Sequence, residues 1–473
     1  MPNTARSQTV DATARDKLYV PHVVAGRVVE TYTEEYPGTT HTPPFATPAL
    51  DLDNLFYPRS EPPPAYALPI DEIIDFLVAT GARLSLDGNP LLAAAAEATA
   101  HANPLGRRVI ENIYRELPFF FSRKSLEFEI EQALGGKAVL DGAQAVVDVT
   151  GRTVRKRAFP PRLVHILAGN TPGVAASSIA SGALTKGVNL LKLPSNDLFT
   201  ASAILRTMAA IDPEHPVLRS FSAVYWRGGD AGVENFLYRP QFFDKIVVWG
   251  GEGAVKNVVK YLGPGIQMIA FDPKVSISMV GREAHASDET LRKVAALAAE
   301  DVQLLDQEAC GASRFQFVEG TPDEVDRYCE ILSEELRVDR EMGSAKAAPP
   351  PPEVVEEVSA LRMFEPIYKA WGDTAGGGLV LRSPEPVTFH PCGKVVNVVP
   401  IEKLSDAVAF ANPATQTVGV WPPERKSEVN DLLWAAGVQR VVKLGDGGKM
   451  FPGLPHDGFL PLHRYVNWVT DED

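Results

Sequence analysis

The chain has 473 residues, 45% of them hydrophobic, which is enough apolar material for large cores and too much length for one, since single cores stop growing near ~250 to 300 residues. A net charge of -14 leaves no basic surplus to replace counterions released from a polyanion, which argues against nucleic acid or anionic lipid as a partner. Cys310, Cys329 and Cys392 are widely spaced and form no CxxC pair, so neither a disulfide framework nor a metal site is expected, and a cytoplasmic location fits.

Met1 to Val20 has no apolar core and cannot serve as a secretory signal, so a tail is expected. Residues 1–65 hold β-type runs such as HVVAGRVVETYT and the Pro-rich EPPPAYALP, which reads as an N-terminal arm and linker. From Pro69, LPIDEIIDFLVATGARL places Ile70, Ile73, Ile74, Leu77 and Val78 on one helical face with Gly81 as a stop, and further helices are expected over 90–134. AVVDVTGRTVRKRAF alternates on both sides of a Thr-Gly turn and predicts a projecting hairpin at about 143–160.

Two units then repeat one theme of strand, glycine-bearing turn, helix and strand: RLVHILA-GNTPG-VAASSIASGALT before NLLKLP, and KIVVW-GGEG-AVKNVVKYL before QMIAF. This is βαβ architecture. The longest uncharged stretch, Ile166 to Thr185, is broken by Gly169, Asn170 and Pro172, so no membrane span is expected. After Pro273 a long helix, DETLRKVAALAAEDVQLL, leads to Cys310, the strand SRFQFVE and the helix DEVDRYCEILSEEL, which open a second α/β domain. Pro349 to Pro352 read as a surface loop before the helix EVVEEVSALRM. The expected division is an arm over 1–65, a first α/β domain over 66–272, a second over 273–440, and a C-terminal segment over 441–473 that returns to the first.

Asn170 sits where a strand ends and a small-residue helix begins, the crevice position of open α/β sheets; its amide suits an oxyanion, or simply caps a tight turn. Lys192 ends the next strand on the same edge and is either a ligand contact or a solvated cation. Gly250 and Gly251 open a helix whose amides could meet a phosphate, although Lys256 stands where GxGxxG needs its last glycine. Cys310, followed by Gly311, Ala312 and Ser313, is either an accessible nucleophile or a buried thiol. Cys329, on an apolar helix face near carboxylates, reads as inert, and Cys392 as a residue near a cofactor cleft. No spacing pairs His165, His390 or His456 with Cys310.

AGNTPG, LLKLPSND, GGEG, DQEACGASR and FANPATQTVGVW, in this order, resemble the aldehyde dehydrogenase superfamily. Over about residues 66–470 the chain further resembles the LuxC-type acyl-CoA reductases, through LPIDEIIDFLVATGARL, FPPRLVHILAGNTPGVAASSIASGALTKGVNLLKLPSND, VNVVPIEKLSDAV and GLPHDGF. The resemblance implies an aldehyde-dehydrogenase-like α/β fold: a Rossmann-type cofactor domain, a catalytic domain carrying Cys310, and the hairpin as an oligomerisation element. It implies that Cys310 is the acyl-accepting nucleophile, Asn170 the oxyanion donor, Lys192 the contact to the adenosine ribose or its 2′-phosphate, and Gly250 and Gly251 the pyrophosphate turn.

Two departures refine this expectation. Hydrolytic members carry a Glu-Leu-Gly-Gly stretch whose glutamate activates water, and here the region reads QMIAFDPKVS, with Asp272 the nearest carboxylate. The run Leu193, Pro194, Ser195, Asn196 lacks the glutamate that engages a ribose 2′-hydroxyl, so NADPH is expected, with NADH as the alternative, and Ser195 joins the cofactor contacts. No counterpart of the glutamate that holds the nicotinamide ribose stands near His390 to Lys394. The implied reaction reduces an acyl thioester, acyl-CoA or acyl-protein, to the aldehyde. The rivals are an NAD(P)-dependent aldehyde dehydrogenase and a non-catalytic subunit beside an acyl-protein synthetase. A homodimer or tetramer is expected through the hairpin and the segment after His456.

Overall fold

The two βαβ units form one side of a seven-stranded sheet in the computed structural model, which describes residues 17–472. Most of the expected N-terminal tail lies outside those residues. The strands run in the order Gln267–Phe271, Lys245–Trp249, Arg162–Ile166, Val188–Lys192, Phe221–Val224, His22–Val24 and Arg27–Val29. The first five are parallel. RLVHI, VNLLK and FSAV are buried at every position, as parallel strands covered by helices on both faces should be.

From Arg162–Ile166 the chain adds strands on one side as far as Phe221–Val224, then returns to place Lys245–Trp249 on the other side. This reversal opens a crevice beyond the strand ends, where open α/β sheets bind ligands. The turns that carry Asn170 and Gly250 both leave from it. His22–Val24 pairs antiparallel with Phe221–Val224, so the segment read as arm and linker also completes the edge of this sheet.

The second sheet runs Lys369–Asp373, Gly378–Arg382, Val395–Ile401, Ser313–Glu319, Val275–Val280, Thr415–Trp421 and Arg440–Lys443, with Lys369–Asp373 its one antiparallel member. The helices Asp288–Gln303 and Pro322–Glu335 pack on it through Val294, Ala298, Val325 and Leu332. Gln144–Val147 and Thr153–Phe159 form the expected antiparallel hairpin, closed by Asp148, whose carboxylate accepts from the Thr150 and Arg152 amides. The C-terminal strand Asn467–Asp471 pairs along Thr153–Phe159. Among the described residues no helix is long and apolar enough to cross a membrane.

Candidate active site

Two strand-end loops are locked together at the crevice. A Cβ on Gly169 would lie 1.7 Å from the Asn196 Oδ1, so only glycine fits against that side chain. Asn103 Nδ2 donates to the carbonyls of Gly169, at 2.6 Å, and Asn196, at 3.2 Å, tying the loop after Arg162–Ile166 to the loop after Val188–Lys192. Asn170 is thereby held at the crevice, and its Nδ2 donates to the Glu308 carbonyl at 3.1 Å, two residues before Cys310.

The path to Cys310 departs from the expected helix. The helix stops at Gln303, and Leu305, Asp306 and Gln307 take left-handed backbone with φ of 51°, 49° and 72°. Non-glycine residues hold such angles only where surrounding bonds over-determine them. Leu305 N–H donates to the Met342 carbonyl, and the Asp306 carboxylate accepts from the amide and hydroxyl of Ser344 at 2.7 and 3.0 Å. Gln307 Nε2 donates to the Val395 carbonyl at 2.9 Å, while the buried Arg314 donates to the Gln307 carbonyl at 2.6 Å. The turn carries Cys310 into the space between the two sheets, where Ser276 Oγ fixes its carbonyl at 2.7 Å.

Burial raises the Cys310 thiol above its ordinary value, and the neighbouring Asp457 carboxylate adds to this. Hydrogen bonds from the Gln416 side chain and from the Gly311 and Cys310 amides oppose both. Gln416 Nε2 in turn donates to Asp457 Oδ1 at 3.2 Å. Burial pushes the Asp457 carboxyl up, but His456, Lys274 and Gln416 outweigh it and hold the group below the usual carboxylate range. Cys329 is fully buried in the helix Pro322–Glu335, and desolvation lifts its thiol well above the ordinary value. Cys392 packs on the cluster of Val354, Val358 and Val395.

Cys310, Asn170, Lys192, Ser195, Gly250 and Gly251 all line one cavity of about 1060 Å³. His390 and His456 line it too. His165 does not: it is fully buried, its Nε2 lies 3.0 Å from Asn189 Oδ1, and burial drops it to about 4. Lys192 is buried with no carboxylate in ion-pair contact among the described residues; its Nζ donates to the Leu193 carbonyl at 3.3 Å beside the rings of Tyr225 and Trp226, and desolvation lowers it to about 8. The Ser195 carbonyl accepts from Thr42 Oγ1 at 3.0 Å. A Cβ on Gly251 would meet nothing within 4 Å, so that turn faces open space ahead of the helix Glu252–Val259.

Several features beside Cys310 or on the cavity wall escape the sequence reading. Gln416 and Asp457 lie in FANPATQTVGVW and GLPHDGF, segments singled out for their resemblance rather than for their chemistry. Trp249 and Phe271 stack at 3.5 Å on the cavity wall. Glu129, also on that wall, carries a legible signal, an acidic residue on the helix face of Leu126, Ile130 and Ala133.

Two α/β sheets enclosing a thiol, a strand-end asparagine and a glycine turn in one crevice define a protein of the aldehyde dehydrogenase fold. The chain superposes on lactaldehyde dehydrogenase from Escherichia coli with a TM-score of 0.71 at 15% identity, over 96% of this chain and 98% of that one. It superposes on NADP-dependent glyceraldehyde-3-phosphate dehydrogenase from Bacillus halodurans with a TM-score of 0.70 at 13% identity, over 96% and 99%. Residues 65–468 match the acyl-CoA reductase (LuxC) family, and the chain belongs to it. It is 30% identical over 320 residues to the long-chain acyl-protein thioester reductase of Vibrio harveyi, an alignment covering 67% of this chain and 65% of that protein, a little under two thirds of the relative's length.

Proposed function

We propose that the protein reduces an acyl thioester to the aldehyde with NADPH through a covalent acyl-cysteine on Cys310. The observation that carries this reading is the convergence of Cys310, Asn170, Lys192 and the Gly250–Gly251 turn on one cavity. The Vibrio harveyi relative's name, long-chain acyl-protein thioester reductase, supports the substrate class.

In this reading the Cys310 thiolate attacks the thioester carbon, the bond to the departing thiol breaks, and that thiolate takes up the proton Cys310 gave away. Asn170 Nδ2 carries two N–H groups. The bond to the Glu308 carbonyl engages one and leaves the other to donate to the oxyanion, a contact worth roughly 10² to 10³ in rate. Collapse of the thiohemiacetal breaks the C–S bond, returns the thiolate of Cys310 and frees the aldehyde.

The residues fit a nicotinamide cofactor: the buried Lys192, with no carboxylate in ion-pair contact among the described residues, suits a ribose hydroxyl or 2′-phosphate, and the Gly250–Gly251 turn, open at Gly251, suits a pyrophosphate. When bound, the cofactor supplies the hydride. At the end of Gln267–Phe271, where a water-activating glutamate would be expected, Phe271 stacks on Trp249, which favours survival of the acyl-cysteine.

One observation favours the hydrolytic rival: Glu308 and Asp272 line the same cavity, and burial raises the Glu308 carboxyl above its ordinary value. Following NADPH consumption across a panel of acyl-CoA thioesters separates the two. Aldehyde production that disappears in Cys310→Ala supports reduction. Faster conversion of free aldehyde to acid with NAD, lost in Glu308→Gln, would replace it. The reading extends to a homodimer or tetramer joined through the hairpin and C-terminal strand, and to an acyl-protein synthetase as acyl donor.

A further inference from the structure

The helix Gly173–Leu184 starts beside Asn170 and presents Gly173, Ser177 and Ser181 to the cavity, one turn apart. Eight residues at 1.5 Å each carry this wall about 12 Å from the reacting end to Ser181. Phe120, Phe451 and Leu454 line other parts of the same cavity, so much of its wall is apolar.

Glu129 stands where that wall ends. It is 4% exposed, its Oε1 accepts from Ser181 Oγ at 2.7 Å, and no lysine or arginine pairs with it among the described residues. Its other oxygen has no hydrogen-bond partner among them either, and the residue lines the cavity. A buried carboxyl with no cation is costly, and packing alone would favour an apolar side chain on a helix face shared with Leu126 and Ile130. Burial raises Glu129 to about 7.

We propose that Glu129, backed by Ser181, forms a polar subsite at the far end of the acyl cavity that accepts a hydrogen bond from a hydroxyl at the remote end of the acyl chain. This deepens the thioester reading and rests on it. A hydroxyl satisfies the free oxygen whether the carboxyl is charged or neutral, since it donates in one case and can accept in the other. An ammonium brings three donors to a place that offers one free oxygen and has to lose its water among aromatic rings. Pairing a buried polar group also discriminates strongly against the chain that leaves it unpaired.

The test is equilibrium binding by titration calorimetry, with non-reactive thioether analogues of alkanoyl-CoA and of ω-hydroxyalkanoyl-CoA matched in length, across a series of lengths. At one length the hydroxylated analogue should bind the wild-type protein at least about tenfold more tightly. In Glu129→Leu the preference should reverse towards the plain chain, and in Ser181→Ala it should shrink. Equal or weaker binding of the hydroxylated analogue at every length, or a preference that survives in Glu129→Leu, would overturn the proposal. Binding is read without turnover, so a protein that shows this preference yet reduces no thioester would sink the thioester reading and leave the subsite standing.

Discussion

At the scale of residues the proposed nucleophile, Cys310, is distinguished by what surrounds it. Desolvation and the Asp457 carboxylate place Cys310 above the ordinary thiol value of 9.0, so in the cofactor-free protein the rate of alkylation by iodoacetamide should still be climbing as pH passes that value. Asp457→Asn removes the opposing charge and should move the alkylation profile to lower pH; an unmoved profile would show that Asp457 does not act on the thiol. Glu129 makes a second pH prediction. Its carboxyl keeps its proton to about 7 in the folded protein against 4.5 when exposed, so the folded state binds more protons between these values and stability falls as pH rises through them. Glu129→Gln should recover part of that loss, up to an order of 3 kcal/mol, seen as a higher urea midpoint at pH 8 with little change at pH 4. Cys310 and Asn170 stand out as candidates because each lies at a turn among small residues, and Lys192 because it ends a strand, while the roles proposed for them come from the family resemblance. Gln416 and Asp457 were not, because they meet Cys310 across more than a hundred residues of chain.

At the scale of elements, periodicity served well where packing follows it. The helix Ile70–Gly81 buries Ile70, Ile73, Ile74 and Leu77 as the spacing predicts, and the Thr-Gly turn lies between the two strands of the hairpin. The sequence misleads at DVQLLDQ, whose helical pattern runs on while the backbone turns left-handed. The helical pattern does not dictate that turn; it is imposed by Ser344, Met342 and Val395 from distant segments, with Arg314 bonding back from seven residues beyond Gln307. Asp306→Ala would leave the Ser344 amide and hydroxyl without their acceptor. It should cost about 1 to 3 kcal/mol in chemical denaturation and slow Cys310 alkylation or turnover beyond the loss of folded protein. Unchanged stability would mean the turn is held by other means. Gly169→Ala should displace Asn196 and the asparagine beside it, weakening turnover more than folding.

At the scale of the whole molecule, the N-terminal strands were the least legible part, since His22–Val24 and Arg27–Val29 are three residues each and find their place only as an edge beside Phe221–Val224. The hairpin and C-terminal strand make a three-stranded sheet with Val146, Val147 and Val469 exposed. An open strand edge with exposed valines invites pairing with another copy. Light scattering should therefore give a dimer or larger mass, reduced to the monomer in Val147→Lys; a monomeric wild type would remove the hairpin from any role in assembly. The proposed activity turns on one covalent bond. Mixing the protein with an acyl-CoA in the absence of nicotinamide cofactor and mapping the adduct by mass spectrometry should place the acyl group on the Cys310 peptide, with NADPH then discharging it as aldehyde. An acyl group on Cys392, or none on any cysteine, would contradict it.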